Sequence, residues 1–155
     1  MSVHPGIAAH PARSGTLARE ARLRRGSLAI LVLLVVESGI GTYVGLYVTV
    51  PRGDHGGGLG RAISGGPPVL AGHALLGLLL GLGALSVLAQ AVLARRWRLT
   101  VLMAAGLLAM AFASVTGASF VSTGDPADSM AMSVMTDVAL LCYAASLYAL
   151  PRTGR

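Results

Sequence analysis

Three ionisable side chains interrupt otherwise apolar stretches of this sequence: Glu37, His73 and Asp137. Such groups are costly to place inside a membrane, and where they occur they often mark proton pathways or bound cofactors. Two acids and a histidine could pass a proton along a relay or line a polar pocket for a cofactor. The same residues could instead hydrogen-bond a neighbouring helix and fix its register. The sequence leaves both interpretations open.

His73 is also a candidate axial ligand for a haem iron. Ligation by two histidines needs a partner, and the other histidines are His4, His10 and His55. The first two belong to the N-terminal segment, and His55 lies in a Gly-rich loop. A homodimer could bring two copies of His73 together. Haem b is therefore one cofactor that the sequence suggests.

A group of methionines, Met130, Met132 and Met135, lies at the start of the last apolar stretch. Thioethers are soft ligands that suit Cu(I), and His55 and His73 are predicted at a similar depth. Only Met132 and Met135 are three residues apart and share a helix face. Methionine is also an ordinary core residue, so copper binding and simple packing both remain open.

The elements that carry these residues are predicted from composition. Of the 155 residues, 54% are hydrophobic and only 12% are charged, whereas soluble domains carry about 25% charged residues. Four apolar blocks are each long enough to cross a hydrocarbon core of about 30 Å. The first is too long for a signal peptide. The sequence predicts an all-α, four-helix transmembrane bundle with helices at about 27–50, 69–94, 99–121 and 129–150.

Charge predicts the orientation of these helices. All 12 basic residues are arginine, and most of them fall on one side of a four-span topology. By the positive-inside rule this side is cytoplasmic, and both termini with it. The net charge of +6 then reflects topology and attraction to lipid, without a nucleic-acid partner. Arginine without lysine suggests GC-rich coding, hence a bacterial plasma membrane. The basic residues of this side are Arg13, Arg19, Arg22, Arg24, Arg25, Arg95, Arg96, Arg98, Arg152 and Arg155.

The segments outside the membrane are short. Residues 1–26 are expected to form a mostly disordered cytoplasmic tail with a short helix at Leu17 to Arg25, and 151–155 to form a second tail. The loop 51–68 is rich in glycine and proline, which disfavours regular structure. Asp128 or Ser129 is expected to cap the fourth helix.

Small residues recur every four positions and therefore share helix faces with the polar groups. Membrane helices approach closely along such faces, so these faces are predicted to point into the bundle. The sets are Glu37, Gly41 and Gly45 on the first helix, His73, Gly77 and Gly81 on the second, and Ala105, Ala109, Ala113 and Gly117 on the third.

The depth of each ionisable group follows from helix rise if the centre of each span is placed at the midplane. Glu37 then lies about 3 Å to the cytoplasmic side and Asp137 about 4 Å to the external side. His73 lies near the external interface. The sequence thus predicts a staggered series of polar groups.

The segments GIGTYVGLYV and GHALLGLLLGL, with the Gly-rich loop between them, resemble one four-helix half of the haem A synthase family. This resemblance implies that His73 holds haem b near the external face. It does not extend to Val69 and Leu70, where that family has a glutamate, or to the fourth helix, which has no histidine. The pattern as a whole also resembles small four-helix membrane proteins of bacteria.

Three functions are consistent with these features. The first is a non-enzymatic accessory or assembly subunit of a membrane complex, for example a respiratory or haem-handling one. The second is a haem- or metal-binding redox protein that uses His73. The third is a proton-coupled transporter or channel that uses Glu37 and Asp137. In each case the partners expected are the lipid bilayer and either further copies of the chain or a larger complex.

Overall fold

The computed structural model describes residues 11–48, Gly60, Ile63 and 66–150. Within these residues the chain forms long helices without any strand, which confirms the all-α prediction. Each helix is long and apolar enough to cross a membrane. The helices are α1 (Pro11–Tyr47), α2 (Pro68–Leu93), α3 (Trp97–Thr123) and α4 (Pro126–Ala149).

The four helices form an up-and-down bundle. Each packs against its neighbours in the chain, and α1 also packs against α4, so that the helices close into a ring without diagonal contacts. The α3–α4 pair has the most extensive contact. The start of α1 meets the α2–α3 turn, where Arg96 contacts Glu20. We call this end, which also carries Arg22, Arg24, Arg95 and Arg98, the arginine end.

The first helix begins earlier than the sequence suggested. Residues from Pro11 onward are helical and continuous with the apolar part of α1. The expected short helix from Leu17 to Arg25 is therefore part of a longer helix, and the expected disorder is wrong for residues 11–16. Residues 1–10 and 151–155 lie outside the described residues. The first helix extends towards the N-terminus because the segment from Leu17 to Arg25 consists mainly of good helix formers. The adjoining membrane helix removes the cost of starting a new helix.

The ends of the helices follow from local sequence. The chain leaves α2 through a Schellman motif: Arg96 N–H bonds to the carbonyl of Ala91 and Arg95 N–H to that of Val92, with Arg95 left-handed at φ 52°. The helix α4 starts at Pro126 because the Asp125 carboxylate accepts from Ala127 N–H at 2.9 Å. The cap is therefore Asp125, and the prediction of Asp128 or Ser129 is wrong.

Asp128 instead joins α3 to α4. Its carboxylate accepts from the hydroxyl of Ser119 at 2.6 Å and from that of Thr123 at 3.1 Å. These bonds fix the relative position of the two helices at the end opposite the arginines.

Small residues of α3 allow the close approach of α4. A Cβ on Gly106 would lie 2.8 Å from Cε2 of Tyr143, and one on Gly117 would lie 2.9 Å from Sδ of Met132. Ala109 and Ala113 are buried as predicted. Ala105 is exposed, so its predicted inward position is wrong. Gly106 packs against α4 in its place.

The core fills the half of the bundle nearer the arginine end. Its buried members come from all four helices and include Leu23, Leu80, Met103 and Tyr143. A smaller cluster around Val44 and Leu70 lies towards the opposite end. The two clusters leave a space between them in the bundle, and Glu37 and His73 line this space.

Candidate functional site

A cavity of about 250 Å³ lies between the four helices and is partly open to the surface. Every helix contributes to its wall, which is mostly apolar. Glu37 and His73 are the titratable side chains in the described part of this wall. Hydroxyls come from Ser38, Thr42, Ser114, Ser129, Ser133 and Thr136.

Glu37 and His73 meet in this cavity. Nδ1 of His73 lies 3.0 Å from Oε1 of Glu37. Nδ1 of His73 has no hydrogen-bond partner in the described residues, so this contact is a close approach of two polar groups and not an aligned hydrogen bond. Glu37 is only 7% exposed, and its second oxygen, Oε2, is buried without a partner in the described residues. The site therefore presents a buried carboxylate oxygen with unused hydrogen-bonding capacity.

Two glycines make room for this pair in a reciprocal way. Glu37 of α1 lies over Gly77 of α2, where a Cβ would be 3.2 Å from Oε1. His73 of α2 lies over Gly41 of α1, where a Cβ would be 3.0 Å from Cε1. Because α1 and α2 run antiparallel, two motifs with a spacing of four cover each other. The structure thus confirms the predicted inward faces at these positions. It also explains why residues 41 and 77 are glycines, since a larger residue would collide with the side chain of the facing helix.

The predicted depths of Glu37 and His73 are wrong relative to each other, because the structure brings the two side chains to the same level. The prediction aligned the centres of the spans. In the structure α1 continues about 15 Å beyond Glu37 to Tyr47, whereas α2 begins only about 8 Å before His73. The helices are therefore offset along their axes by side-chain packing, which span length does not reveal.

Asp137 does not join this pair. Its side chain is exposed, although its neighbour Thr136 lines the cavity. Asp137 itself is not part of the described cavity wall. The structure therefore does not bring Asp137 into a relay with Glu37.

Most hydroxyls of the cavity already donate to their own helix. The hydroxyls of Thr42, Ser114, Ser133 and Thr136 donate to carbonyls four residues earlier, at distances between 2.8 and 3.1 Å. The sequence offered little reason to place Ser114 in the site. Its only signal was its position next to Ala113 in the row of small residues.

The predicted copper ligands are only partly brought together. Met132 lines the cavity with His73, whereas Met135 does not line it and Met130 is exposed. His55 lies outside the described residues. No group of three His, Cys, Asp or Glu suited to a metal ion occurs in the described part of the chain. Copper binding by Met132, Met135 and His55 stays a prediction.

A haem ligated by His73 meets a steric obstacle. The Cε1 corner of the His73 ring packs over Gly41, where a Cβ would lie 3.0 Å from Cε1 and 3.6 Å from Nε2, so α1 lies beside the nitrogen that a haem iron would need. Among the described residues His73 is the sole histidine. A second axial histidine would therefore have to come from another copy or from outside these residues. The described residues of one chain therefore supply one of the two histidine ligands that such a haem needs, and haem binding stays a prediction.

No protein-family model, curated protein or solved structure matches this chain. The resemblance to haem A synthases stays a prediction.

Proposed function

We propose that this protein is a four-span membrane protein that binds a small molecule inside its bundle, with the Glu37–His73 pair as the polar binding group. The observation that carries this proposal is the buried, unpartnered Oε2 of Glu37 at a cavity of about 250 Å³. An unsatisfied buried acceptor costs about 1–3 kcal/mol, and more if charged. A ligand that donates a hydrogen bond to it would recover part of this cost.

The size of the cavity limits the ligand. Pockets for drug-sized molecules have volumes of about 300–1,000 Å³, and this one is slightly smaller. At about 30 Å³ per water-sized group it holds about eight such groups. The partly open wall would give access from the bilayer. These features support a small, mostly apolar ligand that reaches the protein through the membrane.

A binding experiment with paired variants tests this proposal. The purified full-length protein in lipid nanodiscs is heated with hexylamine, 1-hexanol or hexanoate. Binding of at least one probe is expected to raise the unfolding midpoint, because a ligand stabilises the state that binds it. Ala74→Leu, which fills the cavity, should abolish the shift, whereas Ala71→Leu, on the same helix but outside the cavity wall, should retain it. No shift with any probe would contradict the proposal.

Proton transfer is a second candidate function, favoured by the 3.0 Å contact between a carboxyl group and an imidazole. This version differs from the predicted relay because Asp137 has no part in it. Vesicles with the wild-type protein should show proton flux that is absent with Glu37→Gln and retained with Asp137→Asn. Equal flux in wild type and Glu37→Gln would contradict this function.

We further propose that the chain acts as an accessory or assembly subunit within a larger membrane complex or homo-oligomer. The support is Asp137, an exposed acid near the middle of α4 that has no partner in the described residues. A charged group facing lipid costs about 2.5–3.5 kcal/mol on insertion scales, and an interhelical hydrogen bond would offset part of this.

Particle size tests the assembly proposal. Particles extracted from native membranes with their lipid should be larger than the monomer of 15.7 kDa. Asp137→Leu should reduce them towards the monomer, and Val138→Leu, also on the exposed surface, should not. A monomeric wild-type protein would exclude the assembly.

The arrangement in the membrane is also a proposal. The arginine end would face the cytoplasm, with both termini inside, and the membrane would be the plasma membrane of a bacterium. The clustering of arginines at one end of the bundle supports this orientation.

A further inference from the structure

We infer that the ligand of the cavity is a lipophilic organic cation that carries N–H groups, such as a primary or secondary alkylamine. This inference rests on the proposed binding function and specifies its chemical class.

The hydroxyls of the cavity wall act mainly as acceptors. A hydroxyl has one hydrogen and two lone pairs. In Thr42, Ser114, Ser133 and Thr136 the hydrogen already bonds to a backbone carbonyl of the same helix. Their lone pairs remain for a ligand, so these four groups favour a molecule that donates hydrogen bonds.

The charged groups of the wall favour a cation. Oε2 of Glu37 is a further acceptor, and Glu37 is more than nine-tenths buried. No arginine contributes to the described wall, and the imidazole of His73, the other titratable group there, already contacts Glu37. An anionic ligand would therefore lie next to a carboxylate and would have no free cationic group to bind. An ammonium group would instead lie next to a carboxylate of opposite charge.

The remaining wall selects the shape of the ligand. Leu34, Leu70, Leu80 and Val121 form much of it, which suits an alkyl body. Quaternary ammonium ions are recognised by several aromatic faces, but Phe120 is the only aromatic residue in the described wall. A quaternary ion also lacks N–H groups for the free lone pairs. The wall thus favours an amine with hydrogens over a quaternary ion of similar size.

Calorimetric titration of the full-length protein in phosphatidylcholine nanodiscs tests this inference, with empty nanodiscs as the blank. Hexylamine should bind about tenfold more tightly than 1-hexanol, because charge-assisted hydrogen bonds are stronger than neutral ones. Hexyltrimethylammonium and hexanoate should bind more weakly than 1-hexanol. Equal affinities for the amine and the alcohol would overturn the cation assignment but leave the proposed function intact. Binding of no probe would overturn both.

Variants identify the side chains that bind the amine. Glu37→Gln should weaken hexylamine binding about tenfold while leaving that of 1-hexanol nearly unchanged, which also shows that the variant is folded. Thr136→Val should weaken hexylamine binding about threefold. Thr116→Val is the matched control, because Thr116 makes the same kind of backbone bond but does not line the cavity. Equal losses in the two threonine variants would overturn the role of the hydroxyl acceptors.

The same chemistry occurs in a lipid headgroup, and a change of lipid distinguishes the two sources. Phosphatidylethanolamine carries a primary ammonium group. If nanodiscs that contain it suppress hexylamine binding to the wild-type protein, the headgroup is the ligand. If binding is unchanged, the ligand is a free amine.

Discussion

Oε2 of Glu37 and the hydroxyl oxygen of Tyr143, two buried polar atoms without a partner among the described residues, have different surroundings. Glu37 contributes to the wall of the cavity. Tyr143 is completely buried in the apolar core, in the half of the bundle nearer the arginine end, and does not line the cavity. The first is therefore a candidate binding group, whereas the second is a cost to stability.

Removing the Tyr143 hydroxyl should stabilise the protein. Tyr143→Phe keeps the ring but eliminates an unpaired buried group, which costs about 1–3 kcal/mol. We expect a higher midpoint of thermal unfolding in detergent. Tyr143→Leu, which also loses ring volume, should have a lower midpoint than Tyr143→Phe. A lower midpoint for Tyr143→Phe than for wild type would show that the hydroxyl has a partner in the folded protein.

A methyl group at Gly106 should have the opposite effect. The Cβ of Gly106→Ala would lie 2.8 Å from Cε2 of buried Tyr143 and 3.3 Å from Cβ of Cys142. Neither neighbour can move freely, so overpacking should destabilise the protein by about 1–3 kcal/mol.

Gly39→Ala is the matched control for Gly106→Ala. Gly39 lies in α1 and has nothing within 4 Å of its added Cβ. The unfolding midpoint of Gly39→Ala should equal or exceed that of wild type, because alanine favours helix. Equal midpoints for the two alanine variants would contradict the close packing of α3 on α4.

At the scale of elements, the register of α1 and α2 is set by two side chains that each lie over a glycine of the other helix. The α2–α3 turn depends on a different feature, the left-handed conformation of Arg95 at φ 52°. This conformation costs a residue other than glycine about 1–2 kcal/mol. The Schellman motif normally has glycine at this position.

Arg95→Gly should therefore raise the unfolding midpoint by an amount equivalent to about 1 kcal/mol. Arg95→Ala is the control, because it also removes the charge but keeps a Cβ in the left-handed region. It should give little or no gain. If both variants raise the midpoint equally, the effect comes from loss of the arginine charge and not from backbone strain.

In the described part of the whole molecule, the arginine end and the cavity lie towards opposite ends of the bundle. The proposed orientation then places the cavity in the external half of the membrane. A ligand would reach it from the outer leaflet side of the bilayer.

Cysteine accessibility tests this orientation. In a Cys142→Ala background, Ser122→Cys should react with an impermeant maleimide in intact cells. Gly15→Cys, at the arginine end, should react only after permeabilisation. Both positions are exposed in the structure, so burial does not explain a difference. The reverse pattern would place the arginine end outside.

The number and the type of the helices could be predicted without the structure. A bilayer requires about 20 apolar residues per crossing, and only four blocks meet this length. The helical period also placed Glu37 with Gly41 and His73 with Gly77 on common faces, since this relation is local. The helical residues 11–16, and the continuity of the segment Leu17 to Arg25 with the membrane helix, were not predicted, because the composition changes from polar to apolar between the two parts of α1.

Which polar residues contact each other depends on how the helices pack, and this could not be predicted from the separate helices. The contact between Glu37 and His73 depends on the axial offset of α1 against α2, which is set by packing over Gly41 and Gly77 and not by span length. The exposure of Asp137 depends on the rotation of α4 about its axis, which is set by Tyr143 and Met132 packing into the small residues of α3. Offset and rotation are collective properties of packed side chains, so neither can be read from one helix alone.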